Sequence, residues 1–222
     1  MGCIFVIAGG SRGNKNFLRS QIERFGPDEL VCADGGARYV VDLGLTPQVV
    51  FGDMDSLTPE ILQRCEEKGS RIIRHPRKKL QTDTQLALEY ACQSGPDEIR
   101  IYGGLGGRID HSLANIALLL PSAKKGVITK LVDEWCEIYV ITQTTQVEGV
   151  AGQTISLLPL TAMVQDIELE GFEYPLSGAT MEIGAPYGIS NCLLTGRGVI
   201  TIGSGCLLVV QYTRPGIFPE VD

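Results

Sequence analysis

Two aspartates separated by one residue follow a short apolar run, in the sequence Gly52-Asp53-Met54-Asp55-Ser56. Alternate residues of an extended segment point the same way, so the sequence predicts that both carboxylates converge at the end of a strand. Close, unpaired carboxylates repel each other and raise each other's pKa. A divalent cation relieves that repulsion, and hard oxygen ligands suit Mg²⁺. Asp53 and Asp55 therefore predict a magnesium site of the kind that serves phosphoryl transfer.

Three further aspartates occupy comparable places along the chain. Asp34 ends a predicted strand and leads into two glycines, whereas Asp83 and Asp110 each begin a predicted helix. Taken singly, Asp83 and Asp110 are better explained as helix N-caps, and Asp34 is equally well explained as a turn residue. Ligands of open parallel sheets bind at the carboxyl ends of the strands. The repetition of acids at several such ends favours one shared site.

A glycine-rich segment, residues 103–107, precedes Arg108. Glycines allow a backbone to approach phosphates closely, and an arginine beside them can bind a phosphate through charge-assisted hydrogen bonds. The segment is not a dinucleotide fingerprint, because the third glycine of that motif would fall on Ile109. Arg108 could equally be a solvated surface residue. The basic stretch from Arg74 to Lys79 is typical of a solvated loop, although it could attract nucleotide phosphates.

Two regions of different pattern divide the chain. Continuous apolar strands alternate with helices over residues 1–143, which predicts a mostly parallel, Rossmann-like α/β/α sheet domain. Residues 144–222 are rich in Gly, Thr and Val and are punctuated by Gly and Pro, which predicts an antiparallel β-sandwich domain with a loose tail over 215–222. The strands expected in the second region are 153–158, 164–170, 179–183, 189–195, 199–202 and 207–212.

Bulk composition narrows the class of protein. Hydrophobic residues make up 44% and charged residues 20% of the 222, which is typical of a globular chain. The net charge of −7 disfavours nucleic acid as a partner. Seven cysteines, an odd number without a C-x-x-C motif, predict reduced core thiols rather than disulfides or a zinc site. The N-terminal run lacks a basic region and no stretch approaches a membrane span, so a cytoplasmic protein is expected.

The motifs, in this order, resemble those of the thiamine pyrophosphokinase family across nearly the whole chain. The resemblance implies an ATP-binding α/β domain, a C-terminal β-sandwich, and a homodimer that holds thiamine at the subunit interface. It also implies transfer of the pyrophosphoryl group of ATP to the thiamine hydroxyl, with release of AMP. The segments that carry it are Ala33-Asp34-Gly35-Gly36-Ala37, Gly52-Asp53-Met54-Asp55-Ser56, Thr82-Asp83, Gly106-Gly107-Arg108-Ile109-Asp110-His111 and Ser190-Asn191.

Roles for individual residues also follow from the resemblance. Three aspartates match positions that hold Mg²⁺: Asp53, Asp55 and Asp83. The ATP and reaction site would be lined by Asp34, Gly35, Lys79, Gly107, Arg108, Asp110 and His111. Thiamine would lie near Tyr174, Ser190 and Asn191, for which turn chemistry and strand packing are the better explanations from spacing alone. The proton acceptor would be one of Asp55, Asp83 and Asp110.

Two departures from the family pattern are visible. Bacterial members usually have the motif Lys-Asp-x-Thr-Asp, but this chain has Leu80 in place of the first acid. Only the roles of Lys79 and Asp83 are therefore carried over. Tyr174 stands where animal and fungal members have tryptophan, and its smaller ring can still stack on a pyrimidine.

Other functions stay open at this point. They are a pyrophosphokinase acting on another alcohol, such as a hydroxymethylpterin, and a non-catalytic module that binds thiamine or nucleotide. A D-x-D glycosyltransferase is less favoured because it leaves the β-domain unexplained. An aspartyl phosphatase is less favoured because its D-x-D would follow the first strand, where this chain has Gly9 and Gly10.

Overall fold

The computed structural model describes residues 2–11, 13–185, 187–216 and 218. By its internal contacts the chain divides into two compact units, Met1–Glu134 and Trp135–Asp222. No helix in these described ranges is long and apolar enough to cross a membrane. Most of the tail that was expected to be loose, residues 215–222, lies outside the described residues.

The first unit contains a parallel sheet whose strand order is β6-β5-β1-β2-β3-β4. Chain order reverses between β1 and β5, which creates the crevice where ligands of such sheets bind. The elements are β1 (Cys3–Ile7), α1 (Lys15–Phe25), β2 (Glu29–Ala33), α2 (Ala37–Asp42), β3 (Val49–Gly52), α3 (Pro59–Glu67), β4 (Arg71–Arg74), α4 (Asp83–Gln93), β5 (Glu98–Tyr102), α5 (Ile109–Ala117), α6 (Leu119–Lys124) and β6 (Ile128–Val132).

Both faces of this sheet bury apolar side chains. On one face, Phe5 and Ile7 of β1 join a cluster with residues of α1, α2 and α3. Side chains alternate along a strand, so Ile4 and Val6 point to the other face, where α4 packs against β1, β2 and β3. Burial on both faces explains why these strands read as unbroken apolar runs. The predicted mostly parallel α/β domain is confirmed.

The helices that begin beside Asp83 and Asp110 are not capped by those aspartates. Thr82 caps α4, because its hydroxyl accepts a hydrogen bond from Gln85 N at 3.1 Å. Arg108 occupies the N-cap position of α5 without a side-chain capping bond. The simpler explanation of both aspartates as caps is therefore wrong, and their carboxylates are available for other contacts.

The second unit is a sandwich of two antiparallel sheets, with strand orders β12-β9-β14-β7 and β11-β10-β13-β8. Apolar residues of both sheets, such as Leu157 and Ile167, form one buried core. The predicted antiparallel sandwich is thus confirmed. The strands are β7 (Cys136–Ile141), β8 (Thr145–Glu148), β9 (Thr154–Pro159), β10 (Met163–Glu170), β11 (Leu176–Glu182), β12 (Asn191–Cys192), β13 (Arg197–Thr201) and β14 (Leu207–Tyr212).

Two strands differ from their sequence expectations. β8 was not predicted, because its four residues mix polar and apolar side chains in a short run. The strand expected over 189–195 shrinks to Asn191–Cys192. The boundary between the two compact units lies after Glu134, whereas the sequence predicted it after residue 143. The difference arises because β7 pairs with β14 of the second unit. The assignment of ATP and thiamine to separate domains stays a prediction.

Candidate active site

A cavity of about 770 Å³ opens in the first unit at the carboxyl ends of β1, β2, β3 and β5. Its volume falls within the range of about 300–1,000 Å³ that is usual for ligand sites. The loops that follow these four strands supply most of its lining. Residues with predicted roles that line it are Asp34, Gly35, Asp53, Lys79, Asp83, Gly107, Arg108 and His111.

Three carboxylates converge beside this cavity, from Asp34, Asp53 and Asp55. One oxygen of each lies within 4.8 Å of the others. Asp34 is buried, Asp53 is half-buried and Asp55 is exposed, so the cluster grades from the protein interior to solvent. The structure thus brings Asp34, rather than Asp83, within metal-ligating reach of Asp53 and Asp55.

The backbone between Asp53 and Asp55 is not extended, so the expectation drawn from strand alternation is wrong. Met54 adopts a left-handed conformation with φ of +67°. The Asp55 backbone N–H donates to Asp53 Oδ1 at 3.1 Å, which closes a tight turn. The two carboxylates converge through this turn, because the side chain of one holds the backbone of the other.

Asp34 carries the clearest physical sign of a function. It lies in a 3₁₀ turn directly after β2 with φ of +40°, a strained conformation for a residue other than glycine. Burial raises the pKa of its carboxyl, the neighbouring Asp83, Asp53 and Asp55 raise it further, and a hydrogen bond from Ser56 opposes the change. Its buried Oδ1 accepts no hydrogen bond from any described residue. Such an atom is costly to bury unless a ligand pairs with it.

Two glycine-bearing loops meet on one side of the cavity, after β1 and after β5. Gly10 N donates to Gly103 O at 3.0 Å. A Cβ on Gly10 would lie 2.5 Å from the same oxygen, so only glycine allows this approach. On the other side, the buried amide of Asn115 donates to Gly104 O at 2.8 Å. The loop 103–107 is therefore held by hydrogen bonds from two directions.

Basic side chains of the cavity are paired with the acids around it. Lys79 Nζ lies 2.9 Å from Asp83 Oδ1, although that oxygen accepts no aligned hydrogen bond from the described residues. Arg77 Nε lies 3.6 Å from Asp55. Arg108 donates to both carboxylate oxygens of Asp110, through Nε at 3.1 Å and through Nη2. Both residues of this last pair are exposed, so the pair contributes little to stability.

Replacing Arg108 with glutamine is expected to raise the pKa of Asp110 from about 2 toward its ordinary value of 3.8. The Arg108 hydrogen bond is the largest cause of the lowered pKa, because it favours the charged carboxylate. The small stabilisation by this exposed pair is present above the pKa that Asp110 has in the unfolded chain, and it is lost as the pH falls toward 2. NMR titration of the carboxyl carbons measures the change.

Glu60 serves as the internal control in that titration. Its pKa is lowered by a hydrogen bond from Thr58 and by its own backbone N–H, neither of which involves Arg108. The pKa of Glu60 should therefore stay low in the variant. An unchanged Asp110 pKa would contradict the pairing seen in the structure.

The three residues expected near thiamine lie close together in the second unit. The buried Asn191 accepts from Tyr174 N at 3.0 Å and donates to Tyr174 O at 2.8 Å. Its amide therefore holds the backbone of Tyr174, a residue that is 62% exposed. Ser190 has φ of +59°, and its N–H donates to Ser156 Oγ at 3.0 Å. Asn191 is a supporting residue in this arrangement, and Tyr174 offers the accessible aromatic face.

Several lining residues had no predicted role, among them Arg38, Tyr39, Arg77 and Asn115. Asn115 stands four residues after His111 on α5, so helical spacing places both on one face, and this was a usable signal. Arg77 lies in the basic stretch that was interpreted as a solvated loop. Tyr39 has the apolar surroundings of a core residue, and no sequence pattern separates it from one.

Comparison with protein-family models covers most of the chain. A model described as "Thiamin pyrophosphokinase, catalytic domain" matches residues 27–131. A second, described as "Thiamin pyrophosphokinase, vitamin B1 binding domain", matches residues 139–207. These ranges contain every residue to which the motifs gave a role.

Individual relatives agree with this result. A thiamine pyrophosphokinase from Bacillus subtilis is 33% identical over 185 residues, which cover 82% of this chain and 86% of the relative. A crystal structure of thiamine pyrophosphokinase from Bacillus subtilis superposes with a TM-score of 0.85 at 29% identity, covering 95% of this chain and 99% of that one. The thiamin pyrophosphokinase of Candida albicans has a TM-score of 0.82 at 18% identity, covering 96% and 89%, and shows likeness of fold alone.

Proposed function

The chain belongs to the thiamine pyrophosphokinase family, and we propose that it transfers the pyrophosphoryl group of ATP to the hydroxyl of thiamine. The products are thiamine diphosphate and AMP. The observation that carries this proposal is the convergence of Asp34, Asp53 and Asp55 at a cavity lined by glycine loops and basic side chains. A transfer between phosphorus and oxygen depends on positioning and charge neutralisation more than on covalent chemistry of the protein.

The carboxylate cluster fits a magnesium ion. Its oxygens are hard donors at mutual distances suited to a shared cation, and the buried Asp34 Oδ1 has no partner among the described residues. We assign Asp53 and Asp55 as ligands together with Asp34, and Asp83 as a further acid at the same edge. A bound Mg²⁺ would neutralise the charge of the β- and γ-phosphates.

The basic residues of the cavity would bind phosphate oxygens. Lys79, Arg77 and Arg108 line the cavity, each beside a carboxylate, and a bound phosphate would compete with that carboxylate for the cation. Gly35, Gly107 and His111 line the same space and would contact the nucleotide. Leu80, which replaces the first acid of the bacterial motif, is fully exposed and brings no charge to this site.

The proton of the thiamine hydroxyl would pass to a carboxylate. Asp110 is a poor acceptor while Arg108 holds its pKa at about 2. Asp55 and Asp83 are better placed for this role, because Asp55 belongs to the carboxylate cluster and Asp83 is close enough to Asp34 to raise its pKa. Of these two, Asp83 lines the cavity directly.

The second unit would supply the thiamine contacts and the dimer interface. Tyr174 would stack on the pyrimidine ring, with Ser190 and Asn191 beside it. Several apolar residues of this unit are more than half exposed, and a contiguous patch of such residues would mark an interaction surface. They are Val150, Tyr174, Ile183, Tyr187, Ile189 and Leu194. We propose that a second copy of the chain covers them, and light scattering should give twice the chain mass.

The proposed location is the cytoplasm.

One incubation tests the proposed reaction. The protein, ATP, Mg²⁺ and thiamine should together yield AMP and thiamine diphosphate in equal amounts, measured by chromatography and mass spectrometry. A parallel incubation with a hydroxymethylpterin should yield neither AMP nor a new diphosphate. Formation of ADP would show single phosphoryl transfer and would contradict the proposal. Binding of both ligands without turnover would identify a non-catalytic module.

A further inference from the structure

Tyr39 lies beneath the junction of the two glycine loops, on α2. Its side chain is 7% exposed, and its hydroxyl donates to the backbone oxygen of Gly10. The edge of its ring approaches Gly103, where a Cβ would lie 3.7 Å from Tyr39 Cε2. One side chain therefore contacts both loops that border the crevice between β1 and β5.

Arg38 strengthens this contact. Its Nη2 donates to the Tyr39 hydroxyl at 2.8 Å and lies 3.4 Å from Gly9 O. Its guanidinium carbon lies 4.8 Å from the centre of the Tyr39 ring. A hydroxyl that accepts from a cation becomes a better donor, so the bond to Gly10 O is reinforced by charge. The exposed Arg38 also lines the cavity.

The hydrogen bond from Tyr39 to Gly10 O fixes the orientation of the peptide group between Gly10 and Ser11. No peptide bond between described residues is cis, and the C=O and N–H of a trans peptide point in opposite directions. Because the Gly10 oxygen accepts from Tyr39, the Ser11 N–H of the same peptide is directed away from Tyr39, where it can donate to a ligand. Ser11 lines the cavity. A flipped peptide would instead present an oxygen, which repels phosphate.

We propose that Tyr39, supported by Arg38, is a positioning residue that holds the loop after β1 in its phosphate-binding conformation. This inference rests on the proposed function, since it assumes that the cavity receives a nucleotide. Tyr39 acts through the Gly10–Ser11 peptide and not by direct contact with the reacting atoms. Arg38 contributes a cation whose position is set in advance by the Tyr39 hydroxyl.

The test is Tyr39→Phe, which removes the hydroxyl and keeps the ring. Calorimetry with Mg²⁺ and α,β-methylene-ATP should show binding about tenfold weaker than in the parent, the effect of one charge-assisted hydrogen bond. The KM for ATP should rise with it, while the KM for thiamine should stay the same. In an Arg38→Gln background, the same change should weaken binding by a much smaller factor, because the two residues act together.

Tyr90→Phe is the matched control. It also loses one hydroxyl hydrogen bond, to Glu29 Oε1 at 2.9 Å, but it lies outside the cavity. Its nucleotide affinity should equal that of the parent. A Tyr39→Phe protein that unfolds at lower temperature yet binds nucleotide as tightly as the parent would overturn the inference and leave the proposed function standing. A parent that binds nucleotide but makes no thiamine diphosphate would overturn the proposed function alone, and one that binds no nucleotide would overturn both.

Discussion

Asp53→Asn is expected to lower kcat/KM by about 10³-fold, the loss that follows when a main electrostatic contact of a transition state is removed. The amide keeps the shape of the side chain but removes one negative charge from the cluster with Asp34 and Asp55. A neutral oxygen is a weaker ligand for Mg²⁺. The variant should therefore also bind Mn²⁺, used as a calorimetric probe, more weakly than the parent in the absence of nucleotide.

Stability should change in the opposite direction. The three carboxylates repel one another when no cation is present, so neutralising one of them relieves that repulsion. In EDTA, thermal unfolding of Asp53→Asn should occur at or above the temperature of the parent. Lower activity with equal or higher stability is typical of a functional site whose geometry is held at a cost.

Asp28→Asn controls for charge removal as such. Asp28 precedes β2 at the opposite edge of the same sheet, where its carboxylate accepts from Cys3 N at 2.8 Å. Asparagine can still accept that bond, so activity and Mn²⁺ affinity should match the parent. If Asp53→Asn kept full activity and full Mn²⁺ affinity, the metal assignment would be wrong.

The sequence was a good guide to where the acids lie and a poor guide to how they meet. Asp34 and Asp53 were both placed at strand ends from the apolar runs before them, and the structure confirms those strands. Asp34 joins the cluster through a backbone conformation with positive φ. The pattern of residue types along the chain does not reveal such a conformation. The same holds for Met54. The sequence predicted an extended strand, in which alternate side chains point the same way, whereas the backbone forms a turn at this residue.

Tertiary hydrogen bonds explain the positions of two residues to which the sequence gave no role. Asn115 and Tyr39 each donate to the backbone oxygen of a glycine in a loop, Gly104 and Gly10, which lie 11 and 29 residues away in the chain. Neither partner has a side chain that could mark the pairing in the sequence. Glycine-rich loops can be found from composition, but the groups that hold them are known only once the helices are packed.

Gly36→Ala is expected to destabilise the protein by about 3 kcal/mol, which is a large part of the total of about 5–15 kcal/mol for a typical protein. Gly36 is the N-cap residue of α2, with φ of −61° and ψ of −27°, so alanine suits its backbone. The smaller conformational entropy of the unfolded chain would by itself favour alanine by about 0.4–1 kcal/mol. A Cβ there, however, would lie 2.0 Å from Ile7 O and 2.7 Å from Ile7 C.

The steric term should win because the atoms that Gly36 approaches cannot move cheaply. Ile7 ends β1, a strand paired on both sides, and its oxygen belongs to the backbone of that strand. The helix must therefore move away, and it carries Tyr39 with it. Gly36 is also the last residue of the turn that holds Asp34, so that turn would shift as well. Nucleotide binding should weaken together with stability.

Gly9→Ala provides the comparison for stability, measured by thermal and urea unfolding. A Cβ on Gly9 would lie 3.5 Å from its nearest neighbours, an ordinary contact, so its unfolding free energy should stay within about 1 kcal/mol of the parent. Equal stability of Gly36→Ala and Gly9→Ala would mean that α2 does not start against β1 as the structure has it. A large difference between them would show that packing requires a glycine at position 36 of the Asp34-Gly35-Gly36 motif. The motif would then position Asp34 by allowing direct backbone contact between α2 and β1.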